Sequence, residues 1–154
     1  MSSFSIENLG YFFADALKEV VLTTSGFSFD ILPPENDVAF DEMTGIMSLN
    51  GNGSGMVFVS AKEHAIRVLC SFMTGVQRDE VTKDDICDTL CELVNMTAGN
   101  AKLRFHDTQY MFSLSPPFVI SGENVSMITK KGVHTISRIL SDGELSLKLK
   151  VVFY

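Results

Sequence analysis

The chain reads as an α+β protein, a largely antiparallel sheet with helices packed on one face, in the order helix, strands, two helices, strands. Three observations predict this. Apolar residues recur at helical spacing in three stretches. Much of the remainder alternates with the two-residue period of a strand. The links between alternating runs are short and carry Gly, Asn or Asp, so successive strands turn back on one another. A length of 154 residues suits one core, and residues 1–154 are read as a single domain. Hydrophobic residues at 45% and charged ones at 20% give the balance of a folded chain.

The first helix is expected from about Ser5 to Thr24. Ile6, Leu9, Phe12, Phe13, Leu17, Val20 and Val21 fall on one side, and Glu7, Asn8, Asp15, Lys18 and Glu19 on the other. Gly26 is its stop. Phe27–Ile31 reads as a short strand, and Pro33-Pro34 with Glu35-Asn36-Asp37 as a loop. Val38–Leu49 and Gly55–Ser60 form a hairpin around Asn50-Gly51-Asn52-Gly53. Ser60-Ala61-Lys62-Glu63 has capping-box spacing, which opens a helix burying Ala65, Ile66, Leu69, Phe72 and Met73 and ending near Gly75. Thr82-Lys83-Asp84-Asp85 opens the longest helix, to about Phe105. Strands then follow at Tyr110–Leu114, Phe118–Ile120, Val125–Thr129, His134–Leu140 and Leu145–Phe153. In the last, Leu145, Leu147, Leu149, Val151 and Phe153 share one face, opposite Ser146, Lys148 and Lys150.

Composition removes several functions. Twelve basic against nineteen acidic residues leave a net charge of −7, which argues against a nucleic-acid binder relying on Lys and Arg for phosphates. The same sign argues against an electrostatic hold on anionic membranes. No apolar run reaches the ~18–20 residues needed to span a bilayer, and Met1-Ser2-Ser3-Phe4-Ser5 does not open like a signal peptide. Cys70, Cys87 and Cys91 are too few, and odd in number, for a disulfide framework. A reduced, cytoplasmic protein is expected.

Candidate chemistry lies on the long helix. At 100° per residue, Ile86, Cys87, Leu90, Cys91, Leu93, Val94, Ala98, Ala101 and Phe105 share a broad core-facing arc. Asp85, Asp88, Glu92, Asn95, Gly99 and Lys102 line the other side. Glu92 and Asn95 stand i, i+3 and project from one strip. Gly99 leaves the strip bare one turn further on, although glycine inside a helix costs about 0.5–1 kcal/mol relative to alanine. By spacing alone, such a strip is ordinarily a solvated face.

The segment Cys91-Glu92-Leu93-Val94-Asn95-Met96-Thr97-Ala98-Gly99-Asn100-Ala101-Lys102 resembles the signature of the CheX branch of the CheC/CheX/FliY phosphatases. Asp88 stands four before the glutamate, where that family tends to carry Asp or Ser. Ser115-Pro116-Pro117-Phe118-Val119-Ile120-Ser121-Gly122 resembles the family's second marker. Element order and length also fit, and residues 1–60 match only in pattern. The resemblance implies a CheC-like fold and a phosphatase acting on the aspartyl phosphate of CheY-like response-regulator receiver domains. It makes Asn95 the catalytic residue and Glu92 its partner against a receiver lysine. Asp88, Gly99 and Lys102 become partner contacts. No cofactor is implied in this chain, the required Mg²⁺ belonging to the receiver. The alternative is a non-catalytic module that docks a receiver or a flagellar-switch component by the same strip.

The CheC branch carries two signatures per chain and the CheX branch one, pairing as a homodimer. Only Glu92 is followed by Asn at the third position; Glu7 and Glu19 of the first helix are not. One site per chain, and a homodimer, follow from the resemblance. Cys87 and Cys91 with His106 lack a further ligand pair at metal spacing and are read as reduced core thiols. His64, His106 and His134 form no catalytic grouping. The glycine-rich 51–55 loop lacks the G-K-[ST] ending of a phosphate loop.

Overall fold

The computed structural model describes residues 5–36, 38–52, 54–108 and 111–154, with Ile6 described by its backbone only. The readings made on Met1–Phe4, Asp37, Gly53 and Tyr110, and on the Ile6 side chain, lie outside the described residues. In chain order the elements are α1 (Ile6–Ser25), β1 (Asp30–Ile31), β2 (Met43–Gly51), β3 (Gly55–Ala61), α2 (Glu63–Thr74) and α3 (Lys83–Arg104). Then come β4 (Phe112–Leu114), β5 (Phe118–Ser121), β6 (His134–Ser141) and β7 (Ser146–Phe153).

The strands make one sheet in the order β1-β6-β7-β3-β2-β4, with β5 also on β2. Every pairing among them is antiparallel. Consecutive strands joined by short links can pair only this way, so the expected α+β class holds. The hairpin β2–β3 runs in unbroken register from Met43↔Ala61 to Leu49↔Gly55. Sheet residues Met47, Val57, Val59, Leu147, Leu149 and Val151 pack with Phe13, Leu17, Val21, Leu90 and Leu93 of the helices in one buried cluster. Phe13 ties the ends together, its ring 5.8 Å from Phe105, 6.0 Å from Phe112 and 6.4 Å from Phe153.

Several local expectations give way to tertiary context. Ser60 does not cap α2. It is buried at the end of β3, where its Oγ accepts the Asp41 N–H at 2.8 Å and shares a 2.9 Å hydrogen bond with Thr44. Lys62 stands at the N-cap without a side-chain cap, and Glu63 pairs instead with Arg67 at 3.1 Å. Phe72 is 56% exposed, lying edge-on to Phe27 at 4.9 Å instead of in the core. Of Phe27–Ile31 only Asp30–Ile31 is strand, and β2 starts at Met43, well after Val38. Val125–Thr129 forms no strand, because alternation without a partner edge leaves backbone groups nothing to pair with.

The outer face of the sheet is also partly covered. Ile46, Phe58 and Val152 form a second small cluster with Phe40, Met56, Met127 and Val133. Lys150, on the face opposite the Leu147–Leu149–Val151 row, is only 6% exposed, with its ammonium 5.0 Å from the centre of the Phe40 ring.

Candidate functional site

α3 starts where its sequence says. Thr82 Oγ1 accepts the Asp85 N–H at 3.1 Å, and the Asp85 carboxylate accepts the Thr82 N–H at 2.9 Å. These two bonds satisfy backbone donors that the first turn leaves without intrahelical partners. They also hold the Asp85 carboxyl below its ordinary range, the Thr82 backbone bond first and the Thr82 side-chain bond second, against a small opposing effect of desolvation.

Ile86, Thr89, Leu90, Leu93, Val94, Thr97, Ala98 and Ala101 are buried along the helix, and Phe105 beyond it. The core-facing arc therefore sits where its period places it, widened by Thr89 and Thr97. Cys87 and Cys91 lie at the margin of the arc, half-buried, while Cys70 of α2 is fully buried. Burial pushes the Cys91 thiol up, with Cys87 and Asp88 adding to the shift, so it stays protonated at neutral pH.

Asp88, Glu92, Asn95 and Lys102 are exposed and Gly99 is half-buried, all on the outward side of α3. Residues three or four apart on a helix have Cβ atoms about 5–6 Å apart, so Asp88, Glu92 and Asn95 form one row. Among the described residues, no hydrogen-bond partner engages the side chains of Asp88, Glu92 or Asn95. The next amide along, Asn100, turns the other way and donates to Glu19 of α1 at 3.3 Å.

Arg104 completes that contact. One guanidinium nitrogen reaches Glu19 at 3.1 Å and the other pairs with Asp15. These pairings fasten α3 to α1, and sequence reasoning had no means of finding them, since they join residues more than 80 positions apart. The fastening leaves the strip as a ridge. A ridge does not enclose a small molecule, and this one lies open to solvent along its length. The apolar groove of about 300 Å³ lined by Phe40, Ile46, Phe58, Phe118 and Met127 lies on the outer face of the sheet and includes no residue of the strip.

Among the described residues, no group of three His, Cys, Asp or Glu is placed to hold a metal ion, and no helix is long and apolar enough to cross a membrane. His106 pairs at 3.0 Å with its exposed neighbour Asp107.

The sequence model of the family described as chemotaxis phosphatase CheX matches residues 43–140, from the start of β2 almost to the end of β6. The chain belongs to the CheX family. No curated protein matches it in sequence. Solved structures show the CheC-like fold. A CheC-like superfamily protein from Shewanella sp. PV-4 has a TM-score of 0.84 at 21% identity, over 98% of this chain and 99% of that one. The chemotaxis protein CheX from Vibrio vulnificus has a TM-score of 0.83 at 19% identity, over 95% and 99%. A chain of the CheX–CheY–BeF₃–Mg²⁺ complex from Borrelia burgdorferi has a TM-score of 0.79 at 22% identity, over 93% and 96%.

Proposed function

We propose that this CheX-family chain, read as one domain, hydrolyses the aspartyl phosphate of a CheY-like receiver domain, with Asn95 positioning the attacking water. The observation that carries this is the state of the strip: Glu92 and Asn95 are exposed in one row and, among the described residues, spend no hydrogen bond internally. The likeness to a chain of a CheX–CheY complex holding BeF₃ and Mg²⁺ supports the choice of partner.

An acyl phosphate is already a reactive anhydride, so no strong nucleophile has to be generated. A water oxygen bonds to phosphorus as the bond from phosphorus to the receiver's carboxylate oxygen breaks. Inorganic phosphate leaves, the aspartate regains its charge, and the water's proton departs with the phosphate or into solvent. What the enzyme adds is alignment, converting a chance encounter into a fixed approach. The carboxamide of Asn95 can accept from or donate to that water without placing a negative charge beside the phosphoryl oxygens.

Glu92, one turn back, carries the charge that Asn95 avoids. Its role is to anchor a lysine of the receiver, with Asp88, Gly99 and Lys102 as further contacts along the same row. The Mg²⁺ that neutralises the phosphoryl group belongs to the receiver. The active unit is read as a homodimer. β1 and β5 each pair on one side only among the described residues, leaving edges through which two chains can join. A mass in solution equal to one chain would remove that part.

The deciding experiment is phosphate release from a panel of phosphorylated receivers, run beside binding of the beryllofluoride-loaded forms. Asn95→Ala is expected to lose roughly 10²-fold in release, the scale for one well-placed polar group. Wild-type rates from Asn95→Ala would overturn the mechanism. Binding by the wild-type protein without release would make the chain a docking module.

A further inference from the structure

Among the described residues, two glycines lie inside helices, Gly10 in α1 and Gly99 in α3. Glycine weakens a helix relative to alanine because it surrenders more backbone freedom, so each position calls for a reason. For Gly10 the reason is internal: a Cβ there would stand 2.2 Å from Ile136 Cγ2, where α1 rests on β6. For Gly99 no such reason is found among the described residues, where a Cβ would meet nothing within 4 Å. Alanine would fit and strengthen the helix. Gly99 is also placed one turn beyond Asn95, on the same outward row, with Lys102 next along it.

We infer that Gly99 determines partner specificity, as the seat on which the main chain of a receiver loop lies directly against the α3 backbone. This rests on the reading of Asn95 as the water-positioning group. The asparagine side chain is short, and the phosphoryl group it must approach sits among the receiver's own loops. The two backbones therefore have to come close along the turns flanking Asn95. A methyl group at position 99 would stand off the partner by about one carbon–carbon bond, ~1.5 Å. A misplacement of about 1 Å is enough to cost roughly 10²-fold in rate. The absent side chain thus selects receivers whose loop presents bare main chain or a small residue at that point.

Three proteins test this: wild type, Gly99→Ala and Gly99→Leu. For each, the thermal midpoint, the Kd for CheY-type receivers loaded with beryllofluoride and Mg²⁺, and the kcat and KM of phosphate release are measured. Gly99→Ala should raise the midpoint by roughly 1–4 °C, as the helix gains what glycine gave up. It should nonetheless weaken Kd and lower kcat/KM by at least roughly tenfold, and Gly99→Leu by more. A protein made more stable yet poorer at binding is a result that a purely structural glycine does not produce. If Gly99→Ala binds and hydrolyses like wild type while Asn95→Ala is still impaired, the seat is wrong and the parent reading stands. A lower midpoint for Gly99→Ala would show the glycine to be structural and also overturns the inference. If wild type neither binds nor hydrolyses any receiver, both readings fall together.

Discussion

α1 and α3 run side by side in opposite directions, with Phe12 against Phe105, Asp15 on Arg104 and Glu19 on Arg104 and Asn100. Both helices bury one face in the same core and carry acids on the other. The acids nevertheless differ in what they do. Asp15 and Glu19 of α1 are taken up by Arg104 and Asn100 of α3, which makes them struts between two helices. Asp88 and Glu92 of α3, with Asn95, point outward and are engaged by no hydrogen bond among the described residues. A polar side chain already used inside a protein is unavailable to a partner, and one left unused on a ridge is presented to it. Sequence shows the same residue types in both places, so the distinction lies in their neighbours.

The sharpest break between structural and presented groups on α3 itself comes from Leu90, fully buried and packed against Gly45 of β2. Leu90→Ala should cost about 2–5 kcal/mol in denaturant unfolding. The phosphate-release rate per folded molecule should hold, because Leu90 faces away from the strip. A selective loss of rate with full stability would mean that the two sides of the helix are not separable.

The differing roles of the acids on α1 and α3 are tested by one chemical change made twice. Glu92→Gln is expected to weaken Kd for a beryllofluoride-loaded receiver by roughly tenfold, the scale of a charge-assisted hydrogen bond, at an unchanged melting temperature. Glu19→Gln should do the reverse, costing no more than about 1 kcal/mol of stability because the pair is solvent-exposed, and leaving Kd alone. Exchanged outcomes would invert the assignment of strut and contact.

A smaller effect is expected where α3 begins. Thr82→Ala should cost about 1 kcal/mol of stability, the usual worth of an N-cap. The carboxyl of Asp85 is lowered in the folded state, so its contribution is present above the ordinary carboxylate range and lost as pH falls through the depressed folded value. Asp85→Asn should therefore flatten the acid limb of the stability profile. An unchanged limb would show that the reciprocal bonds with Thr82 carry no weight in solution.

Much of this molecule is legible from local signals. The 3.6-residue period separates the buried and exposed sides of α3, so the outward placement of Asp88, Glu92, Asn95 and Lys102 matches the sequence. The Thr82–Asp85 capping box and the left-handed glycines Gly26 and Gly75 mark helix ends where expected, since each such signal is complete within four or five residues. The same local logic misplaces Ser60. A serine three residues before a glutamate looks alike whether it caps a helix or ends a strand, and Thr44 and Asp41 settle the matter from the neighbouring segment. Val125–Thr129 fails for a related reason. Alternation describes a face to bury, and a strand also needs an edge to bond.

Periodicity, caps and turn residues were thus sufficient for the element order, the α+β class and the outward strip, because each depends on contacts within a turn or two of helix or along one strand. Folding in three dimensions decided what no short window contains. It covered the outer face of the sheet around Phe58 and Lys150, and it spent Glu19 and Asp15 on Arg104 while leaving Glu92 unspent. Burial and pairing are properties of neighbours, and in a sheet joined across more than 80 residues the neighbours that matter are distant in the chain.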